Sequence, residues 1–261
     1  METTVYREPE GERNARRRDT AVLVDLDDTL FDQGRAVLGG LDAVAARFAA
    51  LGALPVEQRR HTHDAWLDRL HLRVLHGDLS VDEARRIRLG RLLAEAGLRP
   101  TDADLDLAVR EYRRGYVEAW CAIDGAAALL ARLRRDARVA IVSNNTRDEQ
   151  VGKLRACGLD QLVDALIVWE DVRIAKPDPA MFRVALERLG PGTRGEAAVV
   201  LGDSWSADVM GAIAAGMRAV WFNRRGAACP DASLAIEIRA LVPTESIARV
   251  ILGSLEQPEL L

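Results

Sequence analysis

Three carboxylates, Asp25, Asp27 and Asp28, fall within four residues, directly after the apolar run Ala21 to Val24. A short run of this kind, bounded by polar residues, predicts a buried strand. Open α/β sheets bind ligands just beyond the carboxyl ends of their strands, so the cluster stands where a site is expected. Carboxylates this close raise one another's pKa unless something positive sits among them. Mg²⁺, a hard cation that takes oxygen ligands, meets that need. A solvated Asx-turn fits the same stretch equally well. Other polar groups follow later apolar runs: Ser143, Asn144 and Asn145 after Arg138 to Val142, and Asp203 and Asp208 after Ala197 to Leu201. A hydroxyl between a strand end and a helix N-terminus can hold a phosphate oxygen. A plain N-cap is the simpler reading of Ser143 taken alone. Lys176 falls in a loop, in Lys-Pro-Asp-Pro, where Asp178 can cap a helix and Pro179 can take its first position.

The elements that must position these groups are legible in outline. Strands are expected at 21–24, 138–142, 165–169, 197–201 and, last, 218–222. Helices are expected over about 125–135, from Thr146 with Glu149 as a capping box, and over about 243–252. Residues 33–120 differ, with helix periodicity and no convincing strand. Val37, Leu38, Leu41, Val44, Phe48 and Leu51 recur at helical spacing. Ser80 with Glu83 makes a capping box and Gly97 a stop, and Thr101 can cap a helix carrying Leu105, Val109, Tyr112, Tyr116 and Trp120 on one face. This predicts a second, helical domain of four or five helices inserted after the first strand. Its four histidines, His61, His63, His71 and His76, lack the i, i+4 spacing of a helical metal site and read as surface or interface residues.

Composition excludes several classes. Hydrophobic residues make up 49% of 261 and charged residues 29%, which suits a soluble protein with a sizeable core. A net charge of −4 gives no nucleic-acid footprint. No stretch approaches a membrane span, and the N-terminus lacks the apolar segment of a signal peptide. Cys121, Cys157 and Cys229 are widely spaced and odd in number, so a cytoplasmic, reducing location is expected. Residues 1–19, polar and carrying Arg16, Arg17 and Arg18, read as a disordered tail. Lys153 and Lys176 are the only lysines in the chain.

Asp25-Leu-Asp27-Asp-Thr29 resembles the first motif of the haloacid dehalogenase superfamily of hydrolases. Ser143 after a strand, Lys176 in Lys-Pro-Asp-Pro, and Gly202-Asp203 with Asp208 five residues on resemble its second, third and fourth motifs, in the same order. Four motifs in sequence with an insert after the first are a strong signal where each alone is weak. The resemblance implies an α/β fold, a doubly wound, mostly parallel Rossmann-like core (20–32 and 121–261) with a helical cap domain (33–120). It implies a phosphatase that forms an aspartyl-phosphate. Asp25 would be the nucleophile and Asp27 the acid–base group. Ser143 and Lys176 would stabilise the transferring phosphoryl group, and Thr29, Asn144 and Asn145 would contact substrate. Mg²⁺ would be held by Asp25, Asp203 and the Asp27 carbonyl, with Asp208 beside it. The expected partner is a small phosphorylated metabolite, selected by cap residues among which Trp66, Arg88, Tyr112, Tyr116 and Trp120 are candidates. The superfamily often has glycine where this chain has Arg173. Its dehalogenases work without metal and lack the second Asp of the first motif, and its phosphonoacetaldehyde hydrolases need a cap lysine that residues 33–123 do not contain. A phosphomutase, a haloacid dehalogenase and a non-catalytic binding protein on the same fold are the alternatives.

Overall fold

The computed structural model describes residues 20–190 and 197–253; the expected tail at 1–19 lies outside them. Six parallel strands form one sheet: β1 (Ala21–Val24), β2 (Arg138–Ser143), β3 (Ala165–Val168), β4 (Ala198–Gly202), β5 (Arg218–Phe222) and β6 (Ile236–Ile238), in the order β3-β2-β1-β4-β5-β6. Helices α1 (Gln33–Ala45), α2 (Ala49–Gly52), α3 (Val56–Leu75), α4 (Val81–Glu95) and α5 (Asp102–Glu118) follow β1. Helices α6 (Ala126–Leu133), α7 (Arg147–Ala156), α8 (Trp169–Val172), α9 (Pro179–Leu189), α10 (Met210–Ala214) and α11 (Thr244–Ile251) alternate with the later strands. By its internal contacts the chain divides into a strand-bearing unit, up to Phe31 and from Ala122 onward, and a helical unit, Asp32–Cys121.

In the strand-bearing unit β1 is central, with Val24 in register with Ile141 of β2 and Leu201 of β4. All four β1 residues are fully buried, which is why the run shows no polar alternation. The strands run outward from β1 to β3, then return to β1's other side for β4. That reversal opens a crevice between the carboxyl ends of β1 and β4. One face of the sheet packs Leu23, Val142 and Val200 against Met181 and Phe182 of α9. Burying side chains of this size stabilises by about 1.5–3 kcal/mol each. Two expectations are corrected here. The last strand is not 218–222: β6 pairs beyond it, a three-residue edge strand too short to leave a periodic signal. Trp169 does not extend β3 but opens α8.

The helical unit holds five helices and, among its described residues, no strand. Capping boxes at Ser80–Glu83 and Thr101–Asp104 start α4 and α5. The apolar row from Val37 to Leu51 is not one helix: α1 ends at Ala45, and extended Phe48 starts α2. Helices α1 and α5 approach closely through small residues. A Cβ built on Gly115 would stand 2.3 Å from the Gly39 carbonyl oxygen. Tyr112 and Tyr116 are buried, while Trp120 lies beyond the end of α5 and meets Tyr116 edge-on.

His63 is not a surface residue. It is buried, stacked on Tyr112, with Nδ1 2.9 Å from Asp64 Oδ1 and Nε2 3.1 Å from the Tyr112 hydroxyl. The other three histidines are exposed. Burial, only partly opposed by Asp64 and reinforced by Arg88, pushes His63 down from 6.5 to about 4. Between those values the unfolded chain binds a proton that the folded chain does not, so acidification costs stability. Chemical denaturation at pH 7 and pH 5 should show the native protein losing up to about 2 kcal/mol more than the His63→Gln variant. Equal losses in both would contradict the buried, neutral histidine.

Candidate active site

Four strand ends and the segments after them converge in the crevice. The Asp25 N–H donates to the Leu201 carbonyl at 2.9 Å, continuing the β1–β4 ladder one residue past the strand. This fixes the Asp25 backbone beside β4. Lys176 Nζ donates to Asp25 Oδ1 at 2.6 Å and to Asp208 Oδ1 at 2.7 Å, and all three groups are buried. The other oxygen of Asp208 accepts from the Ser204 N–H at 3.0 Å. The other oxygen of Asp25 accepts from the Thr29 hydroxyl at 3.0 Å, which in turn accepts from the Asp203 N–H at 3.1 Å. Thr29 is fully buried, so its present bonds position Asp25 and the Asp203 backbone. Asn144 grips the Lys176 backbone from both sides: its oxygen accepts the Lys176 N–H at 2.7 Å and its amide donates to the Lys176 carbonyl at 2.9 Å. Asn144 therefore locates the loop that delivers the lysine.

Asp27 points elsewhere. Its Oδ1 accepts from Lys153 Nζ at 2.5 Å, and its Oδ2 from Gln150 Nε2 at 3.0 Å and Asn145 Nδ2 at 3.3 Å. Gln150 Nε2 also lies 2.6 Å from Ser143 Oγ, linking the hydroxyl at the end of β2 to Asp27. Sequence reasoning missed Lys153 and Gln150. The signal was present, since Lys153 is one of two lysines and stands one turn after Gln150 on α7. Thr146 and Glu149 do not form the expected capping box. Glu149 pairs with Lys153 at 3.3 Å, and the N-terminus of α7 is capped by Glu170, which accepts the Arg147 N–H at 2.9 Å.

Two residues adopt left-handed backbone. Asp28 (φ 61°) accepts from Arg225 at 2.6 Å. Arg173 (φ 56°) ends α8 with its guanidinium 5.2 Å from the Trp169 ring. A left-handed position is where glycine is least strained, which accounts physically for the glycine that the superfamily often places there. Gly202 acts through space instead of φ: a Cβ there would lie 2.2 Å from Asp208 Cγ.

The electrostatics of the cluster are unbalanced. Burial, opposed by Lys176 and reinforced by Asp208 and Asp27, pushes Asp25 up to about 7. Burial and the charges of Asp25 and Asp208 push Asp203 up to about 8. Burial alone would lower Lys176, but carboxylates on both sides hold it above its ordinary value and keep it charged. Oxygens of Asp25, Asp203 and Asp208 lie within 4.8 Å of one another. With all three carboxylates ionised, one ammonium leaves two negative charges in a buried all-oxygen donor set; a hard divalent cation fits it and would displace the protons that the raised pKa values otherwise retain.

A family model described as haloacid dehalogenase-like hydrolase matches residues 20–216. The HAD-hydrolase YfnB of Bacillus subtilis is 31% identical over 174 residues, 67% of this chain and 69% of that protein. Its crystal structure, described as bound to magnesium, superposes with a TM-score of 0.73 at 28% identity, covering 89% of this chain and 99% of that one. Ribulose-1,5-bisphosphate 5-phosphatase of Halopiger xanaduensis is 30% identical over 78% of this chain and 84% of its own length. The (S)-2-haloacid dehalogenase 4A of Burkholderia cepacia is 28% identical over 79% and 84%.

Asp208 is pinned by Lys176 and Ser204, so it cannot yield freely to a methyl group at Gly202. Gly202→Ala should cost about 1–3 kcal/mol of stability by denaturant titration. Unchanged stability would contradict the close approach.

Proposed function

The chain belongs to the haloacid dehalogenase-like hydrolases, and on that premise we propose that it is a Mg²⁺-dependent phosphomonoesterase acting on a small phosphorylated metabolite. The observation that carries the proposal is the buried chain Asp208–Lys176–Asp25 beside Asp203, which leaves two negative charges for a cation to neutralise. Asp25, Asp203 and the Asp27 carbonyl would hold the ion, with Asp208 fixing Lys176 behind them. Bound there, Mg²⁺ would keep Asp25 ionised and offset its repulsion from a phosphate dianion.

Asp25 then forms a bond to phosphorus as the ester oxygen leaves, and Asp27 gives that oxygen a proton. Asp27, now ionised, next takes a proton from the water that attacks the aspartyl-phosphate, releasing phosphate and restoring Asp25 as a carboxylate and Asp27 as the protonated acid. Acid–base help of this kind is worth about 10²- to 10⁴-fold. Lys176 and Ser143 donate to the phosphoryl oxygens, where charge gathers during transfer. The oxygens of Asp27 are held by donors away from Asp25, which suits two carboxylates with separate tasks. The helical unit is the proposed selector of substrate. Dehalogenation on the same fold is the competing chemistry, and the cation-suited cluster argues against it.

Purified protein supplied with Mg²⁺ should release phosphate from a generic aryl phosphate, with release abolished by chelator and restored by added Mg²⁺. It should release no halide from a 2-chloroalkanoate. Activity that survives thorough chelation sinks the metal assignment, and halide release without phosphate release sinks the phosphatase reading.

A further inference from the structure

The chain has two lysines, and both serve this site. Lys176 meets Asp25; Lys153 meets Asp27. The Lys153 side chain is fully buried, with its ammonium 2.5 Å from Asp27 Oδ1, 3.3 Å from Glu149 Oε1 and 4.7 Å from the centre of the Phe31 ring. Removing an ammonium from water costs several kcal/mol before pairing offsets it. An apolar residue on the same face of α7 would fill the volume without that cost. Gln150, one turn earlier and also fully buried, spends its amide on Asp27 Oδ2 and Ser143 Oγ at once. Its own oxygen has no hydrogen-bond partner among the described residues, so this side chain is placed for what its amide nitrogen does.

We propose that Lys153 and Gln150 are positioning residues that hold the Asp27 carboxylate in one orientation and tie it to Ser143. The inference rests on the reading of Asp27 as the acid–base group and extends it to two residues on α7. Asp27 follows β1 in a loop, where a carboxylate otherwise samples several rotamers. Three donors, from Lys153, Gln150 and Asn145, select one of them. Because Gln150 also touches Ser143, the acid–base carboxylate and the expected phosphoryl-binding hydroxyl keep a fixed separation. A group held at the right distance contributes to transfer far more than one that must find it.

The test uses Lys153→Met and Gln150→Met, which keep bulk and remove the donors. The value of kcat/KM reports transfer to Asp25 and not the later hydrolysis. For an alkyl phosphate, whose leaving oxygen needs a proton, it should fall about 10²-fold, and for an aryl phosphate by no more than about fivefold. Placed in an Asp27→Asn background, Lys153→Met should lower the alkyl rate by no more than about twofold further, since it acts through Asp27. Crystal structures of the native and Lys153→Met proteins supply a readout independent of turnover: the Asp27 carboxylate should leave its place beside Gln150 or split between rotamers. Equal losses on both esters, or losses that multiply in the double variant, overturn the inference. So does an unmoved Asp27. If Lys153→Met does not fold, Gln150→Met decides by the same measurements. If the native protein hydrolyses neither ester, the phosphatase reading fails, and the position of Asp27 in the variant crystals still decides this inference.

Discussion

Burying several carboxylates together is unfavourable unless positive charge is buried with them. Lys176 between Asp25 and Asp208 meets part of that constraint, and much of the site is arranged to deliver it. Asn144 clamps its backbone, the Ser204 N–H holds the far oxygen of Asp208, and Gly202 leaves the space that Asp208 fills. Removing the lysine would leave a buried, unpaired pair of carboxylates. In the proposed function, the remaining negative charge would draw a cation and, through it, a phosphate dianion.

The sheet makes this arrangement possible. Beta-strands β1 and β4 are neighbours at the reversal of strand order, so Asp25 and Asp203 leave adjacent strand ends into one crevice. Strand β2, on the other side of β1, ends in Ser143 and leads to α7, which brings Gln150 and Lys153 to Asp27. The two carboxylates of the first motif thus answer to different neighbours. Asp25 is governed by Lys176 and Thr29, Asp27 by the α7 side chains. Two residues of the same type, two positions apart, receive different surroundings because a strand-exit loop aims them apart.

Much of this was legible in the sequence. Buried parallel strands appear as short Val- and Leu-rich runs, and polar residues at their carboxyl ends mark the crevice. The capping box at Ser80 and the cap at Thr101 were local and were found where the sequence put them, although Asp104 completing a box at Thr101 was not foreseen. What escaped was non-local or short. Strand β6 has three residues and pairs only because β5 is there. The cap of α7 is Glu170, more than twenty residues away, so Thr146–Glu149 mimicked a box that never forms. Lys153 was visible as a rare residue, but only the fold shows that it faces Asp27. Gly202 was visible as the glycine of the fourth motif, but only the fold shows that it leaves room for a side chain.

The central claim is that Asp25 takes the phosphoryl group while Asp27 handles protons. Rapid-quench mass spectrometry of the native protein with Mg²⁺ and an aryl phosphate tests it most directly. The account predicts a phosphate adduct on the peptide containing Asp25, located on that residue, and no adduct in Asp25→Asn protein. Phosphate bound to Asp27, or any adduct on the Asp25→Asn protein, would contradict it.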